Sequence, residues 1–168
     1  RQMLKQADWS KIPEGLTRAC YADGFNLTIP IYSLVWIDII HDHMMWAGDK
    51  EFTSQFDIGI YTVLEWFNKK IQQNGLPGPI DWWAYADWCV DWKSGVPPGG
   101  LEGNSALFSL HYAYTLQNAA KIYRFIGKEH LAEMYEKQSK KLTDSVNKLC
   151  WNAEKGLYSD TPDMKYYS

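Results

Sequence analysis

Two kinds of helical pattern alternate along this chain, and their alternation limits the folds open to it. Residues 31–47 are apolar on nearly every side, whereas residues 51–74 carry apolar side chains at three- and four-residue steps. The pair then recurs, since residues 104–126 are broadly apolar and residues 128–149 are one-faced. A helix that is apolar all round is buried, and a one-faced helix borders water. The sequence therefore predicts an all-α fold of alternating covered and surface helices.

The junctions between these helices repeat as well. Gly48 and Gly127 each end a covered helix, and a Gly-Leu dipeptide precedes each long irregular stretch, at residues 15–16, 75–76 and 156–157. The unit is a covered helix, a glycine turn, a surface helix and a long loop. Residues 1–168 hold two full helical hairpins and the tail of a third. The chain lacks an initial Met and stops in a predicted loop, so we expect both ends to be internal to a longer protein.

Such alternation is typical of an α/α toroid, in which an outer ring of helices covers an inner ring. The long loops then run into the N-termini of the inner helices and line one mouth of the ring. A plain stack of helical hairpins, such as a solenoid, is the alternative. A solenoid keeps its unit length fixed, but the intervals between Gly15, Gly75 and Gly156 are unequal. The pattern therefore favours part of a toroid.

Composition excludes several functions. Seventeen Lys and Arg stand against 20 Asp and Glu without a basic block, so we expect no nucleic-acid partner. The most apolar stretch, residues 29–40, is interrupted by Ser33 and Asp38 and is too short to span a membrane. Asp38 and the nearby residues His41 and Asp42 share one helical stripe, which indicates a buried hydrogen-bond network. No metal-ligand spacing, phosphate-binding loop or dinucleotide motif is present, so we expect no metal and no cofactor.

The loop between the second and third long helices carries the densest group of chemical side chains. Four of the nine tryptophans and three aspartates lie between residues 81 and 92. A tryptophan ring suits the C–H face of a sugar, and carboxylates suit its hydroxyls. Trp83, Asp87 and Trp88 are therefore candidate substrate-binding residues, with Tyr85 beside them. The alternative is that these rings fill a groove between helices and that Asp87 braces the loop.

Other candidates lie in the remaining mouth loops and at the helix start that follows the first of them. Tyr32 and Trp36 are four residues apart on a covered helix and can face the same way, with Tyr32 nearer the mouth. Both are candidate substrate-binding residues, although Trp36 also suits the core. The first loop contributes Tyr21, Asp23 and Phe25, and the third contributes Tyr158 and Asp160. Glycoside hydrolysis needs two carboxylates flanking the scissile bond, and spacing identifies no partner for Asp87. The sequence pattern therefore leaves the catalytic residues unknown.

Several short strings resemble the six-hairpin catalytic domain of bacterial α-L-rhamnosidases. Their order and spacing extend over essentially the whole chain. The matching strings are Ile-Pro-Glu-Gly-Leu-Thr at 12–17, Ile-Pro-Ile-Tyr-Ser-Leu-Val-Trp at 29–36, His-Asp at 41–42, Gly-Asp at 48–49, Trp-Ala-Tyr-Ala-Asp-Trp at 83–88 and Gly-Leu-Tyr-Ser-Asp at 156–160.

This resemblance implies part of an (α/α)6 barrel that hydrolyses terminal α-L-rhamnose with inversion. It places Tyr32 where the family has an aromatic near the sugar, and Trp88 where the family has a stacking tryptophan. The family's acid lies in a segment resembling R-x-G-W-x-G-D, N-terminal to the matched region, and its base lies further towards the C-terminus. Neither string occurs here. The fragment alone should therefore be inactive, and the rest of its own barrel should be its partner.

The leading hypothesis is a central segment of an α-L-rhamnosidase-like hydrolase that acts on a rhamnose-containing oligosaccharide or glycoside. One alternative is a non-catalytic carbohydrate-binding or scaffold module. Another is a different six-hairpin glycosidase, such as a glucosidase or a glucuronyl hydrolase, because these enzymes share the fold and differ in their acid and base segments.

Overall fold

Helices form nearly all of the regular structure. The computed structural model describes residues 1–20 and 26–167, and the statements below refer to that part of the chain. A single pair of two-residue antiparallel strands closes the last hairpin. The elements in chain order are α1 (Gln2–Trp9), α2 (Pro30–Ala47), α3 (Lys50–Ser54), α4 (Asp57–Asn68), α5 (Ala106–Ile126), α6 (Glu129–Cys150), β1 (Trp151–Asn152) and β2 (Leu157–Tyr158).

The glycine turns after the covered helices are confirmed. Gly48 follows α2 with φ 61°, and Gly127 follows α5 with φ 91°, so both residues adopt the left-handed conformation that ends a helix. Asp49 then caps α3 by accepting a hydrogen bond from the Phe52 amide at 2.9 Å. Each turn therefore reverses the chain within a few residues, as the repeat requires.

The Gly-Leu exits also share a backbone turn. The Gly15 amide donates to the Ile12 carbonyl at 2.8 Å, and the Gly75 amide donates to the Gln72 carbonyl at 2.9 Å. In return, the Ile12 amide donates to the Leu16 carbonyl and the Gln72 amide donates to the Leu76 carbonyl, each at 2.9 Å. The third exit differs, because Leu157 pairs with Asn152 in the β1–β2 ladder. The sequence repeat is therefore a repeat of local structure at two of its three sites.

The predicted helix over residues 51–74 is wrong in its extent, because the chain forms α3 and α4 with a bend between them. The hydroxyls of Thr53 and Ser54 both donate, at 2.7 Å, to carbonyls four residues earlier. Such bonds compete with the helical ladder and bend it. After Asn68 the chain folds back at Gly75, where φ is 86°. The three- and four-residue spacing of the apolar side chains could not reveal this bend, since that spacing continues through it.

Helix α5 lies at the centre of the packing, between α2, α4 and α6. The Tyr112 hydroxyl donates to the Leu64 carbonyl of α4 at 3.0 Å, and the Ser139 hydroxyl of α6 donates to the Ala113 carbonyl at 2.7 Å. Helices α2 and α5 pack directly on each other, α4 contacts both of them and α6 covers α5, as the predicted inner and outer layers require. No helix in the described residues is long and apolar enough to cross a membrane.

The two inner helices are less completely covered than the all-round apolar pattern predicts. Val35 and Ile39 of α2 are 37% and 50% exposed, and Leu110 and Tyr114 of α5 are 41% and 55% exposed. On each helix the two residues are four positions apart and therefore lie on one stripe. Each inner helix thus buries most of its surface and leaves one apolar stripe open to solvent.

Candidate functional site

The site begins at the N-terminal end of α2. Pro30 occupies the first turn of that helix, where its missing amide hydrogen is tolerated, and so fixes where the helix starts. Tyr32 follows in the same turn and is 38% exposed. Its ring stands edge-on to Tyr85 of the tryptophan-rich loop, with the ring centroids 6.3 Å apart. An inner helix and the following mouth loop therefore meet at this point.

Tyr85 is the central ring of an aromatic wall made of Tyr32, Trp83, Tyr85 and Trp88. Its centroid lies 4.9 Å from Trp83 and 5.3 Å from Trp88, and Trp83 lies 6.1 Å from Trp88. Tyr85 is buried, whereas Trp88 is 71% exposed. The buried ring therefore holds a large tryptophan face open to solvent, at a mouth-side position.

The wall is supported from behind by the short turn at residues 93–95. The Trp83 indole donates to the Ser94 carbonyl at 3.0 Å, and the Ala86 amide donates to the Gly95 carbonyl at 2.9 Å. Gly95 has φ 69°, and a Cβ added there would lie 2.5 Å from the Tyr85 ring. Only glycine allows the backbone to approach Tyr85 this closely.

Asp87 is exposed at the edge of the wall, and its carboxylate is held by local hydrogen bonds. It accepts from the Trp88 amide at 2.7 Å and interacts with the Tyr85 hydroxyl. Burial, and then the charge of Asp87, raise the pKa of Tyr85, so its hydroxyl remains a donor. A carboxylate has about four acceptor positions, so Asp87 can still accept bonds from a ligand's hydroxyls. The arrangement can bind a sugar by stacking and by hydroxyl recognition.

Four of the five predicted substrate-binding residues come together, and Trp36 does not. Tyr32, Trp83, Asp87 and Trp88 form or border the wall. Trp36 is only 4% exposed, and its indole donates to the Leu4 carbonyl of α1 at 3.1 Å. Its inclusion in the site is corrected, because the Lys11 ammonium lies over the ring, 3.9 Å from its centroid, and Phe56 packs edge-on against it at 5.9 Å, so the ring is not open to a sugar. The alternative assignment of Trp36 to the core is the one that the packing favours.

Tyr85 has a more central place in the wall than its position beside the candidate residues predicts. Trp83, Tyr85 and Asp87 follow one another at two-residue intervals, and Tyr85 contacts both of the others. That spacing was available in the sequence as a signal. Of the third-loop candidates, Tyr158 packs on Trp151 with ring centroids 4.9 Å apart and bonds Asn147 of α6, and Asp160 is largely buried. Tyr21, Asp23 and Phe25 lie outside the described residues.

The described residues contain no group of three or more His, Cys, Asp or Glu side chains that could hold a metal ion. The polar group on Asp38 is a hydrogen-bond network between helices. Asp38 accepts from Asn118 at 3.0 Å and from Thr115 at 3.1 Å, and it lies 3.2 Å from His111. These partners all belong to α5, so the network joins the two inner helices.

Comparison with known proteins identifies one family. A family model described as the bacterial alpha-L-rhamnosidase 6 hairpin glycosidase domain matches residues 27–167. No curated protein sequence matches the chain significantly.

Three solved structures share the fold. A GH78 family rhamnosidase of Bacillus sp. GL1 superposes with a TM-score of 0.81 at 18% identity over 99% of this chain. A rhamnosidase from Klebsiella oxytoca with rhamnose bound superposes with a TM-score of 0.80 at 16% identity over 97% of this chain. An α-L-rhamnosidase from Dictyoglumus thermophilum superposes with a TM-score of 0.67 at 19% identity over 93% of this chain. The chain spans only 17%, 31% and 17% of the lengths of these three proteins.

Proposed function

Because the chain belongs to the family of bacterial α-L-rhamnosidase six-hairpin glycosidase domains, we propose that it is a segment of an enzyme that hydrolyses terminal α-L-rhamnose. The reaction proceeds with inversion, through an acid and a base carboxylate that lie outside this chain. Residues 1–168 supply two helical hairpins and the tail of a third. The remainder of the barrel, contributed by the same protein, completes the ring.

The aromatic wall is the observation that carries this proposal. Its exposed Trp88 offers a flat apolar face, and Asp87 offers hydroxyl acceptors beside it. In the proposed complex the rhamnose ring stacks on Trp88, and the Asp87 carboxylate accepts hydrogen bonds from one or more of the sugar's hydroxyls. The wall therefore positions the sugar and shields one side of it from water, while carboxylates from elsewhere in the barrel perform the proton transfers.

Kinetics of the full-length protein on 4-nitrophenyl α-L-rhamnopyranoside test this function. Trp88→Ala should lower kcat/KM at least tenfold, because the sugar loses its stacking surface. Trp46→Ala is the matched control, since Trp46 is 91% exposed and lies fourteen residues along α2 from Tyr32, or roughly 21 Å. The control should stay within twofold of wild type.

Three results would contradict the proposal or part of it. A full-length protein that cleaves another glycoside but no rhamnoside overturns the substrate. If Trp88→Ala has the kinetic constants of the wild type, the aromatic wall is not part of the substrate site. A protein that binds rhamnosides without cleaving them, under any assay condition, supports a non-catalytic carbohydrate-binding module instead. The isolated chain, lacking the acid and base, should show no hydrolysis.

A further inference from the structure

A row of lysine side chains follows the exposed face of α6 in its C-terminal half. Lys137, Lys141 and Lys148 recur at steps of four and seven residues, so they form one stripe of the helix, the lysine stripe. The stripe extends over eleven residues, or roughly 17 Å along the helix axis. It borders a surface groove of about 360 Å³, whose lining is Lys137, Lys140, Lys141, Asp144, Ser145 and Lys148.

The positive charge of this segment opposes the charge balance of the chain. Residues 137–148 hold four lysines and one aspartate, whereas the whole chain carries a net charge of −3. The aspartate, Asp144, pairs with Lys140 at 2.9 Å, beside the stripe. The three lysines of the stripe form no ion pair with any residue that the structure describes. Their charges are therefore available to an anionic partner.

The stability of α6 does not account for the stripe. Only Lys148 lies in the last turn, where a cation interacts favourably with the helix dipole. Lys137 and Lys141 are four residues apart, and like charges at that spacing oppose helix formation. Natural sequences break such local rules mainly where a function requires it. The stripe therefore has the character of a binding surface.

An aromatic pair lies at the mouth-side end of the stripe. Trp151 follows α6 directly and packs against Tyr158 of β2, with the ring centroids 4.9 Å apart. Both side chains are exposed. The Tyr158 hydroxyl donates to Asn147, the residue before Lys148, and so fixes the pair beside the last lysine. Cations and open aromatic faces therefore meet at this end of α6.

These features together favour one class of anionic partner. The groove lining contains no arginine, the residue that suits bidentate recognition of phosphate in nucleic acids. The apolar face of α6 is buried in the fold, so it cannot enter a membrane as the apolar face of an interfacial helix does. Exposed aromatic faces suit the C–H face of a sugar ring. An acidic polysaccharide offers both such rings and a row of carboxylates.

We propose that the lysine stripe and the Trp151–Tyr158 pair bind an acidic polysaccharide whose side branches end in rhamnose. The carboxylates of its uronate units pair with the ammonium groups of the stripe, and a sugar ring lies against the aromatic pair. The charged backbone is thereby held on the outer face of the barrel, and the neutral terminal rhamnose is left for the aromatic wall. The identity of the branch rests on the proposed function, whereas the charge of the backbone rests on α6 alone.

Binding of an oligogalacturonate that carries no rhamnose tests the proposal on the full-length protein, because this measurement does not depend on hydrolysis. Isothermal titration calorimetry at low ionic strength compares this probe with a neutral galactose oligomer of the same length and linkage. The wild type should bind the acidic probe at least tenfold more tightly than the neutral one. Added salt should reduce that difference, because it screens exposed charges.

Lys141→Glu/Lys148→Glu should weaken binding of the acidic probe at least tenfold, whereas Lys141→Arg/Lys148→Arg should retain it. Lys50→Glu/Lys69→Glu is the matched control, because both lysines are exposed outside the stripe and the net charge changes equally. The control should stay within twofold of the wild type. All these variants should keep the wild-type kcat/KM on 4-nitrophenyl α-L-rhamnopyranoside, since the stripe lies on the outer face of the barrel.

Equal affinity of the wild type for the acidic and neutral oligomers overturns the proposal, and so does unchanged binding by Lys141→Glu/Lys148→Glu. An equal loss in the control variant also overturns it, because net charge alone would then explain the binding. Equally tight binding of poly-L-glutamate would show that the surface takes any polyanion, which overturns the polysaccharide as partner. Oligogalacturonate binding by a protein that cleaves no rhamnoside retains the acidic-polysaccharide site and overturns the proposed function alone.

Discussion

Gly95 is the residue on which the shape of the aromatic wall depends most closely. Its backbone passes so near the Tyr85 ring that a Cβ would lie 2.5 Å from two ring carbons and 2.8 Å from the Asp87 carbonyl oxygen. The residue also has φ 69°, which L side chains rarely adopt. Gly95 therefore combines a conformational requirement with a steric one, and the two can be separated by experiment.

Gly95→Ala should lower the free energy of unfolding more than Gly48→Ala does. Gly48 has a similar φ of 61°, but a Cβ there meets nothing within 4 Å, so its substitution costs only the roughly 1–2 kcal/mol of backbone strain. Urea titration followed by tryptophan fluorescence measures both variants. Gly95→Ala should also alter the near-ultraviolet circular dichroism of the wall. Equal destabilisation by the two substitutions, with an unchanged spectrum, would mean that the close approach to Tyr85 is not maintained in solution.

Among the elements, α2 and α5 are joined by polar as well as apolar contacts. Asp38 lies on α2, and its carboxylate accepts from Thr115 and Asn118 of α5, which are 0% and 1% exposed. Buried donors that lose their acceptor retain the full cost of desolvation. The network therefore fixes how the two inner helices are aligned, in addition to stabilising them.

Asp38→Ala should destabilise the protein by about 3 kcal/mol, because it leaves these buried donors of α5 without their acceptor. Asp42→Ala is the matched control, one turn along the same helix, with a side chain that is 70% exposed. The control should cost less than about 1 kcal/mol. Chemical denaturation of both variants provides the measurement. A cost for Asp38→Ala as small as that of the control would show that water replaces the carboxylate in this network.

At the scale of the whole molecule, the open apolar stripes of α2 and α5 are the main consequence of the architecture. Val35 and Ile39 are exposed on one helix, and Leu110 and Tyr114 are exposed on the other. In a complete ring, further helices would border the inner layer. In the isolated chain these stripes face water, and exposed apolar surface of this kind promotes association.

The isolated chain should therefore bind an apolar dye such as 8-anilinonaphthalene-1-sulfonate and self-associate with rising concentration. Ile39→Glu should reduce both effects by placing a charge on the stripe. Ile58→Glu serves as control, because Ile58 is 76% exposed on α4, outside the inner layer. Fluorescence and sedimentation velocity measure the two properties. A monomer that binds no dye would mean that the chain covers these stripes itself.

Local sequence determined much of this protein. The glycine turns at 48 and 127, the layer order of the helices and the grouping of Trp83, Asp87 and Trp88 follow from spacing and from residue chemistry, which act within a few residues. The sequence pattern did not predict the bend at residues 55–56, because the hydroxyl–carbonyl bonds of Thr53 and Ser54 leave the apolar spacing unchanged. The sequence strings also implied the family, which the family match then identified.

Only the tertiary structure decided which aromatic residues are reachable. Tyr32 and Trp36 are one turn apart on one helix, yet Lys11 and Phe56 pack on the ring of Trp36, whereas Tyr32 stays partly exposed. The tryptophans between residues 82 and 92 also differ in their surroundings. Trp88 belongs to the wall, Trp82 and Trp92 line a cavity shared with Tyr166 of the third loop, and Trp83 belongs to both. Exposure depends on which distant segment packs against a ring. Periodicity within one segment carries no information about that packing.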